Sequence, residues 1–278
     1  MTDIIKIKKW IDEADAIIIG AGSGLSEEAG IKYSGEKFDR DFIDYIRKYG
    51  FKDLHSALFF PYASEEERWA CLAKYIYFTY YENKHTELYE KLFKIFKDKN
   101  YFIITTNADG QFINNGFNPK KVFEVQGNYS KLQCSTPCNN KLYYNEDIVK
   151  DMLNNINNDL EIPKDLIPKC PVCGKRMSIN IRIDNKFVED DNWNKMNEDY
   201  AKFIKKNQKK NVLLIEFGVG FNTPAIIRNP FEWMTYDNEN FKLIRFNELY
   251  PEISDELRDR SISVSDDISE VIDLISRL

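Results

Sequence analysis

Ile4, Ile5, Ile7, Trp10 and Ile11 recur at helical spacing, and the unbroken run Ala16-Ile17-Ile18-Ile19 that follows reads as a buried strand ending at Gly20. Gly20-Ala21-Gly22-Ser23-Gly24-Leu25-Ser26 then predicts a turn into a helix, with Ser26 as N-cap and Glu27 and Glu28 in the first turn, where the dipole favours acids. Between Phe38 and Lys84 the pattern is helical throughout. Phe42, Ile43, Ile46 and Tyr49 lead to a stop at Gly50, and Ser64 to Glu67 forms a capping box ahead of Trp69, Leu72, Tyr75 and Ile76. Leu88, Leu92, Ile95 and Phe96 mark a further helix, followed by a strand from Tyr101 to Thr106 and another at Val122-Phe123-Glu124-Val125. Cys134 to Cys173 lacks sustained periodicity and is rich in Asn, Lys and Pro, which predicts loops tied by a metal rather than a packed core. Strands return at Val212 to Phe217, Lys242 to Phe246 and Ser261 to Val264, with a helix opened by Thr223-Pro224 and a last one led by Asp266-Asp267. Strands alternating with helices predict an α/β fold built on a doubly wound parallel sheet, whose ligands meet the strand C-termini.

Two hundred and seventy-eight residues suffice for one large domain with an inserted module. The formal charge of −6 disfavours a bulk electrostatic grip on nucleic acid or anionic lipid. No run approaches membrane-spanning length and the N-terminus lacks the apolar centre of a signal peptide, so a cytoplasmic location is expected.

Five cysteines are too few for a disulfide scaffold of this size, and four of them pair up as Cys134/Cys138 and Cys170/Cys173, roughly 30 residues apart. Two such pairs suit a tetrahedral zinc ion, and four thiolates leave it no open position for water, so its role is expected to be structural. Cys71 lies among Trp69, Leu72 and Tyr75 and reads as a core thiol. Gly20-Ala21-Gly22 at a strand end lets backbone approach a pyrophosphate, although tight strand-to-helix turns also use glycine for packing alone. Asn107 and Asp109 leave the next strand as two short polar side chains, equally suited to a site or to an Asx turn. No acidic residue closes a second strand in the manner of a dehydrogenase, which disfavours hydride transfer.

Taken in order, GAGSGLSEEAGI, TTNADGQF, VQGNY, the two cysteine pairs and FGVGFNTPA resemble the sirtuin family, from Gly20 to about Asp267. The resemblance implies a Rossmann-like domain (1–36, 86–128 and 210–278), a helical insertion (37–85) and a zinc-binding module with its connecting helix (129–209), with NAD in the cleft between large and small domains. Gly20, Ala21, Gly22 and Ser23 would hold the pyrophosphate. Asn107 and Asp109 would surround the nicotinamide ribose and carboxamide, and Gly218, Gly220, Asn222, Asn247 and Asp266 would contact the adenosine end.

The departures carry the functional expectation. Sirtuins follow the glycine loop with Pro-Asp-Phe-Arg, where this chain has Lys32-Tyr33-Ser34-Gly35 after a loop two residues longer. Deacylases carry His-Gly where this chain has Gln126-Gly127. A glutamine amide hydrogen-bonds but accepts no proton near neutral pH, so the base that activates a ribose hydroxyl is missing while loss of nicotinamide to another nucleophile can proceed. These departures, with INIRID, FVED and GFNTPAIIRNPFEWM, are similar to the macrodomain-linked sirtuin branch. That implies protein mono-ADP-ribosylation, a lipoyl-carrier protein of the glycine-cleavage type as target, and a macrodomain hydrolase as reversing partner. Gln126 would then position substrate, Arg182 would face the cleft, and Phe231 and Trp233 would line a target channel or pack in the core. The alternatives are a lysine deacylase with another base, an NAD hydrolase, or a non-catalytic adaptor.

Overall fold

The computed structural model describes residues 3–278. The chain forms two compact units, one of Met1–Ala29, His85–Gln126 and Asp191–Leu278, the other of Gly30–Lys84 and Gly127–Asp190. In chain order its strands are β1 Ala16–Ala21, β2 Tyr101–Thr105, β3 Val122–Glu124, β4 Gly127–Cys134, β5 Tyr143–Tyr144, β6 Met177–Ile181, β7 Val212–Phe217, β8 Phe241–Phe246 and β9 Ser261–Val264.

The first unit is built on a sheet of order β3-β2-β1-β7-β8-β9, parallel throughout. The chain winds outward from β1 in both directions, so the order reverses between β1 and β7. A crevice forms at such a reversal because the loops leaving the two strands go to opposite faces. Every residue of β1, β2 and β7 is buried, which is why these strands read as continuous apolar runs rather than as alternation.

Alternate side chains feed two cores. Ile17, Ile19, Ile103, Ile215 and Ile244 meet Ile7, Trp10 and Ile11 of the helix Ile4–Glu13, Leu88 and Leu92 of Glu87–Phe96, and Val271 and Ile275 of Ile268–Ser276. Ile18, Phe102, Ile104, Leu214 and Leu243 meet Ile227 and Phe231 on one side and Met196, Trp193, Tyr200 and Phe203 on the other. Truncating a fully buried member such as Ile19 to alanine costs about 2–5 kcal/mol.

The helix Asp191–Asn207, grouped by the sequence with the zinc module, belongs to this first unit. Its aromatic face explains the difference: Trp193 packs on Phe123, and Tyr200 and Phe203 on Phe102. Thr223-Pro224 heads a turn rather than a helix, which opens only at Arg228.

The second unit holds the helices Glu36–Asp41, Ile43–Tyr49, Leu54–Phe59 and Glu65–Ile76 with an antiparallel sheet β5-β4-β6. Gly50 ends its helix at φ 71°, as expected. Ser64 accepts from Glu67 N at 3.1 Å while the Glu67 carboxylate reaches back to Ala63 N at 3.2 Å, one residue earlier than a standard capping box. Cys134 to Cys173 is not all loop: Glu146–Asn154 is a helix that buries Val149 and Met152. Its four apolar residues, Ile148, Val149, Met152 and Leu153, do recur at helical spacing, but over a stretch too short to stand out from the polar residues around it.

Candidate active site and metal centre

The first-unit residues singled out by the sequence converge at one edge of the parallel sheet. Gly22 follows β1, Asn107 and Asp109 follow β2, Gly218 to Asn222 follow β7, Asn247 follows β8 and Asp266 follows β9. All lie just past a strand C-terminus, and the β1 and β7 loops meet at the point of reversal.

That meeting explains most of the glycines. A Cβ on Gly22 would stand 2.7 Å from Gly218 O, and one on Gly218, whose φ is +58°, would stand 2.4 Å from Leu25 N. Gly22 N donates to Phe217 O and Gly24 N to Gly218 O, both at 3.0 Å. Gly20 is filled by Ile227 and Phe231, whose side chains would lie 2.4 and 2.8 Å from its Cβ. These glycines admit protein backbone and core side chains. Gly220 differs: a Cβ there meets nothing within 4 Å. Ala21 is buried and Ser23 exposed.

Ser26 is not the N-cap expected of it. The helix Ser23–Glu28 starts three residues earlier, capped by Gly22, and Glu27 and Glu28 fall at its end. The early start turns Ser26 inward, where its hydroxyl donates to Asp109 Oδ2. Asp109 Oδ1 accepts from Gln111 N at 3.1 Å, and the residue is only 2% exposed. Burial lifts the Asp109 pKa above the ordinary aspartate value, against the pull of the Ser26 hydroxyl and of the Gln111 amide. Asn107, also buried, donates from Nδ2 to Gly22 O at 2.9 Å and so ties β2 to the glycine loop. Tyr89 borders Ser26, Asn107 and Asp109.

Asn247 donates to Val219 O at 2.9 Å and accepts from Leu249 N and Tyr250 N, so it shapes the loop after β8. Beneath that loop lies a charged cluster the sequence reading passed over. Glu216 on β7 and Arg245 on β8 are register partners, both fully buried, and Arg245 clasps the carboxylate at 2.9 and 3.0 Å. Arg228 approaches Glu216 at 3.5 Å and donates to Tyr250 O and Glu252 O. The signal was available: opposite charges interrupt two apolar strands, in LLIEF and LIRF, at matching places.

Gln126 is half-buried, in the two-residue turn between β3 and β4. Asn222 and Asp266 are exposed. Arg182, in the second unit, pairs with Glu189 at 2.6 Å and lies 4.3 Å over the Phe187 ring. Phe231 is core, whereas Trp233 on the same helix is 63% exposed.

The four cysteines come together in the second unit, with all sulfurs within 4.8 Å of one another. Cys134 to Cys173 and Cys138 to Cys170 are each 3.6 Å, too long for disulfides and close to the roughly 3.8 Å edge of a tetrahedron with ~2.3 Å metal–sulfur bonds. The donor set and spacing therefore fit a zinc ion. Cys71 stays apart, fully buried, with its thiol pushed up to about 12 by burial.

Fold and site define a Rossmann-like protein with polar residues gathered past the C-termini of its parallel strands and a four-cysteine cluster that fits zinc. No family model matches the chain. It is 37% identical over 267 residues to a protein ADP-ribosyltransferase of Staphylococcus aureus, covering 96% of this chain and 84% of that protein. It is also 30% identical to a probable bifunctional ADP-ribose hydrolase/ADP-ribosyltransferase of Fusarium oxysporum f. sp. cubense, covering 86% of this chain and 41% of that one. Among solved structures it resembles Sir2Tm bound to a propionylated peptide (TM-score 0.62, 17% identity, 99% of this chain and 98% of that chain). It likewise resembles a Sir2 mutant with a p53 peptide and NAD (TM-score 0.64, 18% identity, 99% and 98%). These establish the sirtuin fold. The chain belongs to the sirtuin-type, NAD-dependent protein ADP-ribosyltransferase family.

Proposed function

We propose that this chain transfers a single ADP-ribose unit from NAD to a protein side chain with release of nicotinamide. The observation that carries the reading is Gln126, standing where a deacylase has its histidine. An amide at that place can orient a ribose hydroxyl or an incoming side chain but cannot take its proton. The Staphylococcus relative's name supports transfer over acyl removal.

On this reading Ser23, with the turn Gly20 to Gly22, serves the pyrophosphate, and Gly220, Asn222, Asn247 and Asp266 serve the adenosine end. Gly220 has the open space such an approach needs. Asn107 and Asp109 hold the nicotinamide ribose and carboxamide. Departure of nicotinamide leaves positive charge at the ribose carbon, and a buried carboxylate beside it favours that charge more than an exposed one would. Arg182 and Gln126 act on the acceptor side. Zinc held by Cys134, Cys138, Cys170 and Cys173 fixes the second unit's fold and supplies no step.

The proposed target is a lipoyl-carrier protein of the glycine-cleavage type, with a macrodomain hydrolase as reversing enzyme. The Fusarium relative's name, joining hydrolase and transferase, supports that pairing. The setting proposed is cytoplasmic; among the described residues no helix is long and apolar enough to cross a membrane.

Mass spectrometry of lipoylated carrier protein incubated with enzyme and NAD tests the reading. The expected gain is one ADP-ribose, lost with Asn107→Ala and not converted to deacylation by Gln126→His. Release of O-acyl-ADP-ribose from an acyl-lysine peptide by the unaltered enzyme, with no mass gain on any protein, would overturn it.

A further inference from the structure

Tyr89 sits on the inner face of the helix Glu87–Phe96, fully buried, with its ring edge-on to Phe112 at 4.9 Å between centroids. Its hydroxyl has no hydrogen-bond partner, although Ser26, Asn107 and Asp109 are its polar neighbours. A buried hydroxyl left unpaired opposes folding, and a phenylalanine of the same shape would avoid that cost. Ser26 donates to Asp109 and Asn107 to Gly22 O, so neither donates to the Tyr89 oxygen.

We propose that Tyr89 is a positioning residue whose hydroxyl is held in reserve for Ser26. When a donor of the bound dinucleotide, an amide or a ribose hydroxyl, takes Asp109 Oδ2, the Ser26 hydroxyl is displaced and turns to Tyr89. Both groups end paired, so ligand binding removes the unpaired phenol as well as engaging the carboxylate. The orphan group thereby ties the position of the helix Glu87–Phe96 to occupancy of the site. This rests on the NAD-binding reading above, through Asp109.

The test is Tyr89→Phe, alone and with Ser26→Ala, read by the thermal midpoint of the ligand-free protein and by titration with NAD. The ligand-free midpoint is expected to stay level or rise. The NAD dissociation constant should rise roughly fivefold to tenfold, the worth of one buried hydrogen bond, and KM for NAD should move with it while kcat changes less. In the Ser26→Ala background Tyr89→Phe should add nothing, because its partner is gone. A lowered ligand-free midpoint with unchanged NAD affinity would assign Tyr89 an ordinary packing role and overturn the proposal. So would full additivity of the two changes, or no effect of Tyr89→Phe on either measurement. Wild type that binds NAD but modifies no protein overturns the transferase reading and leaves the Tyr89 result standing; wild type that binds no NAD overturns both.

Discussion

The first unit buries two carboxylates, and it treats them in opposite ways. Glu216 lies on β7 with Arg245 clasping both oxygens and Arg228 alongside. Asp109 lies past β2 with one serine hydroxyl and one backbone amide. Desolvation lifts the pKa of each above the ordinary value, but at Glu216 two guanidinium groups pull it back, whereas at Asp109 a serine hydroxyl and backbone amides do so. A carboxylate matched to cations is complete in itself and serves the fold, here by holding Arg228 and Arg245 against the carbonyls of Tyr250 and Glu252. One left short of positive charge suits a partner that brings it, and on the proposed function that partner is the ribosyl centre of departing nicotinamide. Burial alone therefore does not tell a structural acid from a functional one; the count of opposing charges does.

The largest effect that tests this contrast is on stability. Glu216→Ala strands two guanidinium groups in the interior, and the expected loss is about 3–5 kcal/mol, read as a fall in the urea midpoint. Replacing Asp109 by Asn should act the other way round. The amide keeps the shape and removes a poorly compensated charge, so stability should hold or rise, while the transfer rate falls roughly 100- to 1000-fold. If Glu216→Ala leaves stability intact, or Asp109→Asn retains transfer, the contrast fails.

A smaller effect is expected in the pH dependence. With its pKa raised by burial, native Asp109 still holds its proton at pH values where the unfolded chain, near 3.9, has lost it. The native state then binds more protons, so this group's contribution is full below about pH 4 and is lost as pH rises toward the native value, at about 1.4 kcal/mol per pH unit. Asp109→Asn should remove that slope from the stability curve above about pH 4. Parallel curves for the two proteins would show that Asp109 is not the group responsible.

Much of this was open to sequence reading and some was not, for physical reasons. The parallel strands declared themselves because burial on both faces demands unbroken apolar runs, as in Ala16 to Ile19 and Val212 to Ile215. The cysteine pairs did so by spacing. The sheet β5-β4-β6 escaped, since GNYSKLQC carries Asn128, Ser130 and Gln133, polar yet buried. Asn128 accepts from the amide and hydroxyl of Ser130 within its own strand, and Gln133 accepts from Asn180 Nδ2, 47 residues later, at 2.7 Å. Ser26 escaped for the same cause. A local reading makes it a cap, and only the fold brings Asp109, 83 residues later, within reach of its hydroxyl.

The contrast between fold and site recurs in the backbone, at its smallest scale, in the loop after β7. Gly218 and Gly220 stand two residues apart and were assigned alike from the motif FGVG. Gly218 is bound by the fold: its φ of +58° disfavours a side chain, and a Cβ would strike Leu25 N. Gly218→Ala should therefore destabilise the protein by more than about 1 kcal/mol, with weaker NAD binding only as a consequence. Gly220 has no such reason to be glycine, since a Cβ there meets only open space. If a ligand fills that space, Gly220→Ala should leave the thermal midpoint within the roughly ±0.5 kcal/mol of a neutral surface change, yet weaken NAD several-fold by titration. Unaltered NAD affinity in Gly220→Ala would remove this position from the adenosine site and confine the glycine requirement to the backbone contact at Gly218.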